Sequence, residues 1–382
     1  MILREDSITT QILGDDEGEL LLVPGPVSLS GDVQREIERP VRPHYGPEWV
    51  KAFEETTELL RTIFRTRDDV VLFFGPGSAA LEASMRSCLH TRDRLLVPTN
   101  GMFAERLATI ASANGIDVAP LHFDETEPID PDAIRDSARA IGATALAVVY
   151  NETGSTLCNP LEDVCAVARE LGLLTIVDAV SALGGLPLDV EAWGIDICVA
   201  VSNKCLGAPI GISPIAVSER AWQRCASSDV SPRGWYFNLQ TWRDARAERR
   251  AWHPHPTTMP TSALHGLRVA AEAVARDVDG FVRHHADVAT EMRSGLRKLG
   301  FRLYVEDERY ASPVVTGAYA LDAMDVDDYI RWLGETCRMR ISPGLGRDTD
   351  RVFRVAHMGL AANLDVVAAY LELTRRYLER EP

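Results

Sequence analysis

Leu173-Leu-Thr-Ile-Val-Asp-Ala-Val-Ser-Ala-Leu-Gly-Gly185 and Ala200-Val-Ser-Asn-Lys-Cys-Leu-Gly-Ala-Pro-Ile-Gly211 are the two stretches on which the reading of this chain turns. The first is an apolar run of strand length that ends on Asp178. The second completes the apolar run Ile197–Val201 and then reaches Lys204. Both pass into Gly-rich turns, the punctuation expected where a buried strand gives way to a connection. Open α/β sheets bind ligands outside the carboxyl ends of their strands, so a carboxylate and an amine delivered there are candidates for chemistry.

The same pattern extends outward. Val70–Phe74, Arg94–Val97 and Ala145–Tyr150 are further apolar runs, and the pieces around 104–114, 131–140 and 161–171 carry helical spacing. This alternation predicts an α/β fold with a mainly parallel sheet sandwiched by helices. Pro47 to Arg65 reads as an amphipathic helix. Residues 229–257 turn to Trp, Arg and Pro with little periodicity, and a long helix is expected from about Ser262 past Ala275. Beyond Phe281 come a helix, strands at Phe301–Val305 and Val314–Ala320, and helices at Val326–Cys337 and Leu364–Leu378, the pattern of a small α+β unit. The expected organisation is an N-terminal arm (1–20), a large domain (21–275) and a small C-terminal domain (276–382).

Composition narrows the function classes. Forty basic against fifty-six acidic residues give a net charge of −16, which disfavours nucleic acid and anionic membranes as partners. No apolar stretch approaches the roughly 20 residues of a membrane span, and the N-terminus lacks a signal-peptide core. Seven cysteines without a C-x-x-C pair argue for reduced thiols in the cytoplasm and against a metal site. Only three lysines occur, Lys51, Lys204 and Lys298, so arginine supplies almost all the positive charge.

Four features carry chemistry together. Gly75-Pro-Gly-Ser-Ala-Ala-Leu-Glu82 joins a strand to a helix, and the free first-turn N–H groups of such a helix make a phosphate cradle; a plain βα turn is the alternative. Asp178 could pair with a pyridinium N–H or cap a helix. Lys51 and Lys298 lie in amphipathic helices among charged neighbours. Lys204 instead ends an apolar strand, where desolvation frees a nucleophilic amine; a snorkelling surface lysine is the alternative. Phe103, in Asn100-Gly-Met-Phe103, is placed to stack on a planar ring or to fill the core.

In this order the four features resemble fold-type-I pyridoxal-phosphate enzymes, and specifically class V aminotransferases. Similarity runs from Pro24-Gly-Pro26 to Arg354-Val-Ala-His-Met-Gly359 and is most specific in Val177–Gly185 and Ser202-Asn-Lys-Cys-Leu-Gly-Ala-Pro209. The resemblance implies pyridoxal 5'-phosphate bound covalently by Lys204, with Asp178 on the ring nitrogen, Phe103 and Val180 on the two ring faces, and Gly77, Ser78 and Ala79 on the phosphate. It further implies Thr153, in Asn151-Glu-Thr-Gly-Ser-Thr156, at the phenolic oxygen, and Ser202 or Asn203 beside the phosphate. Thr258, in Pro256-Thr-Thr-Met-Pro260, and His255 would reach a neighbouring subunit's phosphate in a homodimer with shared active sites. Arg354 would bind the substrate carboxylate, a task suited to its bidentate fork.

Three positions depart from the family pattern: Pro76 inside the phosphate loop, Thr156 where glycine is common, and His255 where tyrosine is common. His44-Tyr45, Gly234-Trp-Tyr-Phe237 and Trp242 are candidates for a substrate pocket or for packing. The implied reaction is transfer of an amino group from an amino acid or amine to pyruvate or glyoxylate. The alternative is a lyase or decarboxylating deaminase acting on a cysteine-like S-conjugate. A cofactor-binding regulator is the third reading, disfavoured by the intact Asp178/Lys204 pair. Cys337, the only C-terminal candidate for a desulfurase thiol, reads as a helix end.

Overall fold

The computed structural model describes residues 18–227, 234–322 and 324–380. All but the last three residues of the expected arm (1–20) lie outside them, as do 229–233 of the aperiodic stretch. Seven strands form the main sheet: β1 (Asp69–Phe74), β2 (Arg94–Thr99), β3 (Asp117–His122), β4 (Ala145–Val149), β5 (Leu174–Asp178), β6 (Ile197–Val199) and β7 (Ile212–Val217). Their spatial order is β1-β7-β6-β5-β4-β2-β3. Pairing is parallel from β6 through β3, and only β7 runs antiparallel to its neighbours β6 and β1. Every residue of β4, β5 and β6 is buried, which explains why these strands read as near-continuous apolar runs rather than alternating ones.

The mainly parallel α/β sheet is as the sequence predicts, and three of the helices around it matter below: α1 (Gly77–Cys88), α2 (Met102–Ala113) and α3 (Glu219–Cys225). Two strands are additional. β3 is half-exposed and interrupted by Pro120. β7 is fully buried yet contains Pro214, a residue that argues against an interior strand because it cannot donate to the ladder.

Beyond the helix Thr261–Ala275, which stops at Ala275 rather than running past it, Val278–Lys298 opens the C-terminal region. There β8 (Val315–Tyr319), β9 (Ser342–Pro343) and β10 (Val352–Ala356) form an antiparallel sheet in the order β8-β10-β9. The strand expected at Phe301–Val305 reduces to a single bridge, Leu303 to Ala318. Two hydrophobic clusters dominate, one around the main sheet and one around the C-terminal helices. Leu20 and Leu22 belong to the second, because Leu20–Leu21 pairs in parallel with Met339–Arg340.

Candidate active site

β5 delivers Asp178 at its carboxyl end, in register with Val149 of β4 and Val199 of β6. Its carboxylate Oδ1 accepts the Val180 N–H at 2.9 Å. Burial pushes this carboxyl up to about 6, opposed by that hydrogen bond and by the charges of Lys204 and Arg106. Lys204 follows β6 in a turn closed by the Gly207 N–H donating to its carbonyl at 2.9 Å. The Nζ of Lys204 makes no hydrogen bond or ion pair among the described residues. Burial lowers its ammonium to about 8; the charges of Cys205 and Asp178 oppose this, while those of Arg354 and Arg106 add to it. Lys51 and Lys298, by contrast, are exposed.

The backbone around Lys204 is crowded. Gly25 has φ +97°, a conformation that favours glycine, and a Cβ there would lie 2.6 Å from Lys204 Cδ and 2.9 Å from Nζ, displacing the lysine side chain. Across the site, α1 begins directly after β1. A Cβ on Gly77 would meet Val180 Cγ2 at 2.7 Å and Val201 Cγ1 at 3.0 Å, which keeps the start of α1 pressed against the segment that carries Asp178. The N–H groups of Ala79 and Ala80 donate to Pro76; those of Gly77 and Ser78 have no acceptor among the described residues. Phe103, half-buried on α2, lies under the Arg106 guanidinium, 4.8 Å from the ring centroid. Thr153 is buried.

Arg354 sits on the central strand β10 of the small sheet, yet reaches the same place. Its Nη1 donates to the Thr153 carbonyl at 2.7 Å and its Nε to the Pro343 carbonyl at 2.9 Å. No carboxylate is paired with it among the described residues, and Nη2 has no partner there. Burial pulls it down to about 10, with the charge of Glu152 acting the other way. A buried guanidinium bonded only to carbonyls is a site for an anion.

Other residues singled out from sequence are placed differently. The Ser202 hydroxyl donates to the Pro209 carbonyl, closing the turn that presents Lys204. His255 is fully buried: its Nε2 accepts from Trp49 Nε1 at 2.9 Å, and its Nδ1–H donates to the Thr257 carbonyl at 2.6 Å. Burial first, then His253, lowers it to about 4, so the ring is neutral. His44, His253 and His255 hold ring nitrogens within 4.8 Å of one another, but the lone pair of His255 is taken by Trp49. Thr258 is exposed. Trp242 is core, bonded through Nε1 to the Tyr236 carbonyl at 3.0 Å, while the Tyr236 hydroxyl donates to Phe74, the residue before the Gly75 turn.

A buried amine near a carboxylate thus lies beside helix N–H groups and an arginine that have no anionic partner among the described residues. The sequence profile of the aminotransferase class-V family matches residues 30–345. The chain belongs to the class-V aminotransferases. An uncharacterized aminotransferase of Methanocaldococcus jannaschii is 30% identical over 364 residues, covering 94% of this chain and 93% of that protein. The pyridoxamine–pyruvate transaminase of Mesorhizobium japonicum is 29% identical over 349 residues, 90% and 87% of the two chains. The solved alanine–glyoxylate aminotransferase from Nostoc sp. superposes with a TM-score of 0.90 at 27% identity, covering 95% and 96%. Family and fold class are those the sequence resemblance implied, and the chain is a transaminase of a pyridoxal-phosphate family.

One residue of this aminotransferase site escapes the sequence reading. Glu152 is buried, and its Oε2 accepts the N–H groups of Phe103 (3.0 Å) and Ala104 (3.1 Å) while Oε1 accepts that of Gly154 (3.0 Å). It thus caps α2, where a negative charge is favoured, and fixes the helix that carries Phe103. Burial pushes its carboxyl up to about 7, against the three N–H groups and with a further rise from Asp178. Room for it exists because residue 101 is glycine: a Cβ there would lie 2.4 Å from Glu152 Cγ. Gly101 lies in Asn100-Gly-Met-Phe103 and Glu152 in Asn151-Glu-Thr-Gly-Ser-Thr156, and no spacing links them.

Proposed function

We propose that the site holds pyridoxal 5'-phosphate through Lys204 and moves an amino group from an amino acid or amine to a small 2-oxo acid, pyruvate or glyoxylate. The observation that carries this is the free, desolvated Lys204 amine facing Asp178 at the strand ends, beside the two unpaired N–H groups of α1. That donor set fits the group: an amine for its aldehyde, a carboxylate for its ring nitrogen, helix N–H groups for its phosphate. When bound, the cofactor supplies a sink for the electron pair left when a bond to the substrate Cα breaks. The acceptors are those named in the pyridoxamine–pyruvate and alanine–glyoxylate relatives.

The chain's own residues take these parts. Lys204 Nζ, neutral in part near pH 7, is the nucleophile that captures the cofactor and the base that carries the Cα proton. Asp178 keeps a proton on the ring nitrogen. Gly77, Ser78 and Ala79 receive the phosphate, Phe103 and Val180 cover the ring faces, and the Thr153 hydroxyl meets the phenolic oxygen. Arg354 orients the substrate carboxylate. Ser202 and His255 are left out of this set, since their polar atoms are already bound within the chain. A homodimer is part of the reading: Tyr45, Phe74, Ile210, Trp235 and Trp252 are exposed apolar side chains that a second subunit would cover, bringing Thr258 to its phosphate. So are a division into units 21–275 and 276–382, with Leu20 and Leu22 joined to the second, and a cytoplasmic location, supported by seven cysteines free of disulfides.

The test is a half-reaction. Holoenzyme mixed with a panel of amino donors and no oxo acid should change its cofactor spectrum once and stop after one equivalent of product. Added pyruvate or glyoxylate should restore the spectrum and release alanine or glycine. Sustained turnover without an oxo acid, releasing ammonia or carbon dioxide, would decide for the lyase or decarboxylating deaminase instead.

A further inference from the structure

Cys88 is the last residue of α1 and Cys225 the last of α3, and their sulfurs lie 2.7 Å apart. The sulfurs are thus neighbours across two helix ends, the proximity that closing a disulfide needs along with suitably directed side chains. The helix ends are held together independently of the sulfurs. Arg224 donates from Nε to the Cys88 carbonyl at 3.4 Å and from Nη2 to Asp93, whose carboxylate accepts the His90 N–H at 2.6 Å. The Cys88 sulfur also points at the Ala221 carbonyl, 3.7 Å away. The two thiols differ in access: Cys88 is buried and Cys225 is half-exposed.

We propose that Cys88 and Cys225 form a dithiol that closes to an intramolecular disulfide when the protein meets a low-molecular-weight disulfide. The accessible Cys225 sulfur, as thiolate, attacks one sulfur of the small disulfide; the S–S bond breaks and one small thiol leaves. The Cys88 sulfur then attacks Cys225 in the mixed disulfide and expels the second small thiol. The two cysteine protons leave with those thiols, and the two electrons lost by Cys88 and Cys225 reduce the small disulfide. Burial holds the Cys88 thiol well above its ordinary pKa, but its attack is intramolecular, from a sulfur already beside Cys225, so the mixed disulfide should not persist. The bond would tie together residues 137 positions apart at the end of α1 opposite Gly77 and Ser78, about 15–18 Å away for a helix of this length. It should therefore stabilise the fold while leaving the site's chemistry alone.

Holoenzyme is incubated with oxidised glutathione, its free thiols are alkylated, and peptides are mapped by mass spectrometry. The expected product is a cross-linked pair of peptides carrying Cys88 and Cys225, two hydrogens lighter than the separate peptides. The thermal midpoint should rise by about 3–5 °C, with turnover within about twofold. Cys225→Ser should abolish the cross-link, and Cys88→Ser should leave the glutathione adduct standing on Cys225. Wild-type mapping needs no variant to fold and is decisive by itself. A persistent adduct on wild-type Cys225, a cross-link between other cysteines, or no reaction under conditions that alkylate Cys225 would each overturn the proposal.

Discussion

Lys204 shows how one side chain acquires its reactivity from position alone. No neighbouring cation dominates its shift; loss of water does, lowering it from an ordinary 10.5 to about 8. At pH 7 about a tenth of such an amine is neutral, against roughly one part in three thousand for a solvated lysine. Protonation removes the nucleophilic lone pair, so capture of pyridoxal phosphate by the cofactor-free protein should speed up as pH rises and level off above about 8. Following the rate by absorbance, with borohydride reduction to fix the label, checks both the midpoint and the residue. A midpoint near 10.5, or label on Lys51 or Lys298, would remove Lys204 from its proposed part. This residue is legible in the sequence because lysine is so rare here that each one can be weighed by its surroundings. Glu152 is not, since its importance comes from a hydrogen-bonding geometry between α2 and the hairpin of Asn151–Glu152 with Leu157–Cys158 that chain order does not encode. His255 is set by the same kind of long-range geometry: its type and motif position suggest a ligand contact, while its Nε2 accepts from Trp49, 206 residues away in sequence.

Elements follow the same division between local and tertiary causes. Helices whose apolar stripe faces a core, such as Val326–Cys337 and Leu364–Leu378, end where the periodicity ends. Leu239–Arg249 buries only Leu239, Trp242 and Ala245 among many charged residues, too thin a stripe to be read. β7 is held between β6 and β1 in spite of Pro214, because its side chains are all buried, apolar except for Ser213, whose hydroxyl donates to the Gly75 carbonyl at 2.7 Å. Thr156 is a conflict of the opposite kind. It takes φ +58°, a left-handed conformation costing a β-branched residue about 1–2 kcal/mol. Glycine would relieve that at about 0.5–1 kcal/mol in chain entropy. Thr156→Gly should therefore raise the thermal midpoint by about 1–2 °C as read by calorimetry. A fall of that size would mean that Thr156 packing against the Gly317 backbone outweighs the strain.

On the scale of the molecule, Asp178 ends a strand of the main sheet, Lys204 follows another and Arg354 lies on the small sheet, so the proposed site needs both sheets in place. If a second subunit also contributes, the arrangement can be tested by moving defects between chains. With Thr258 acting across the interface, a mixed dimer of Lys204→Ala and Thr258→Ala chains keeps one site with both residues intact. A mixed dimer of wild-type and doubly substituted chains keeps none, because each site then lacks one of the two. Were Thr258 to act within its own chain, the ranking would reverse, since the wild-type subunit would carry a complete site. Purifying the two mixed dimers by paired affinity tags and measuring cofactor affinity and turnover per dimer separates these cases. The expected result is about half of wild-type turnover for the first dimer, with cofactor bound tightly at one site, and a clearly weaker second dimer. The opposite order would place Thr258 at its own chain's phosphate, and equal values would remove it from the phosphate site altogether.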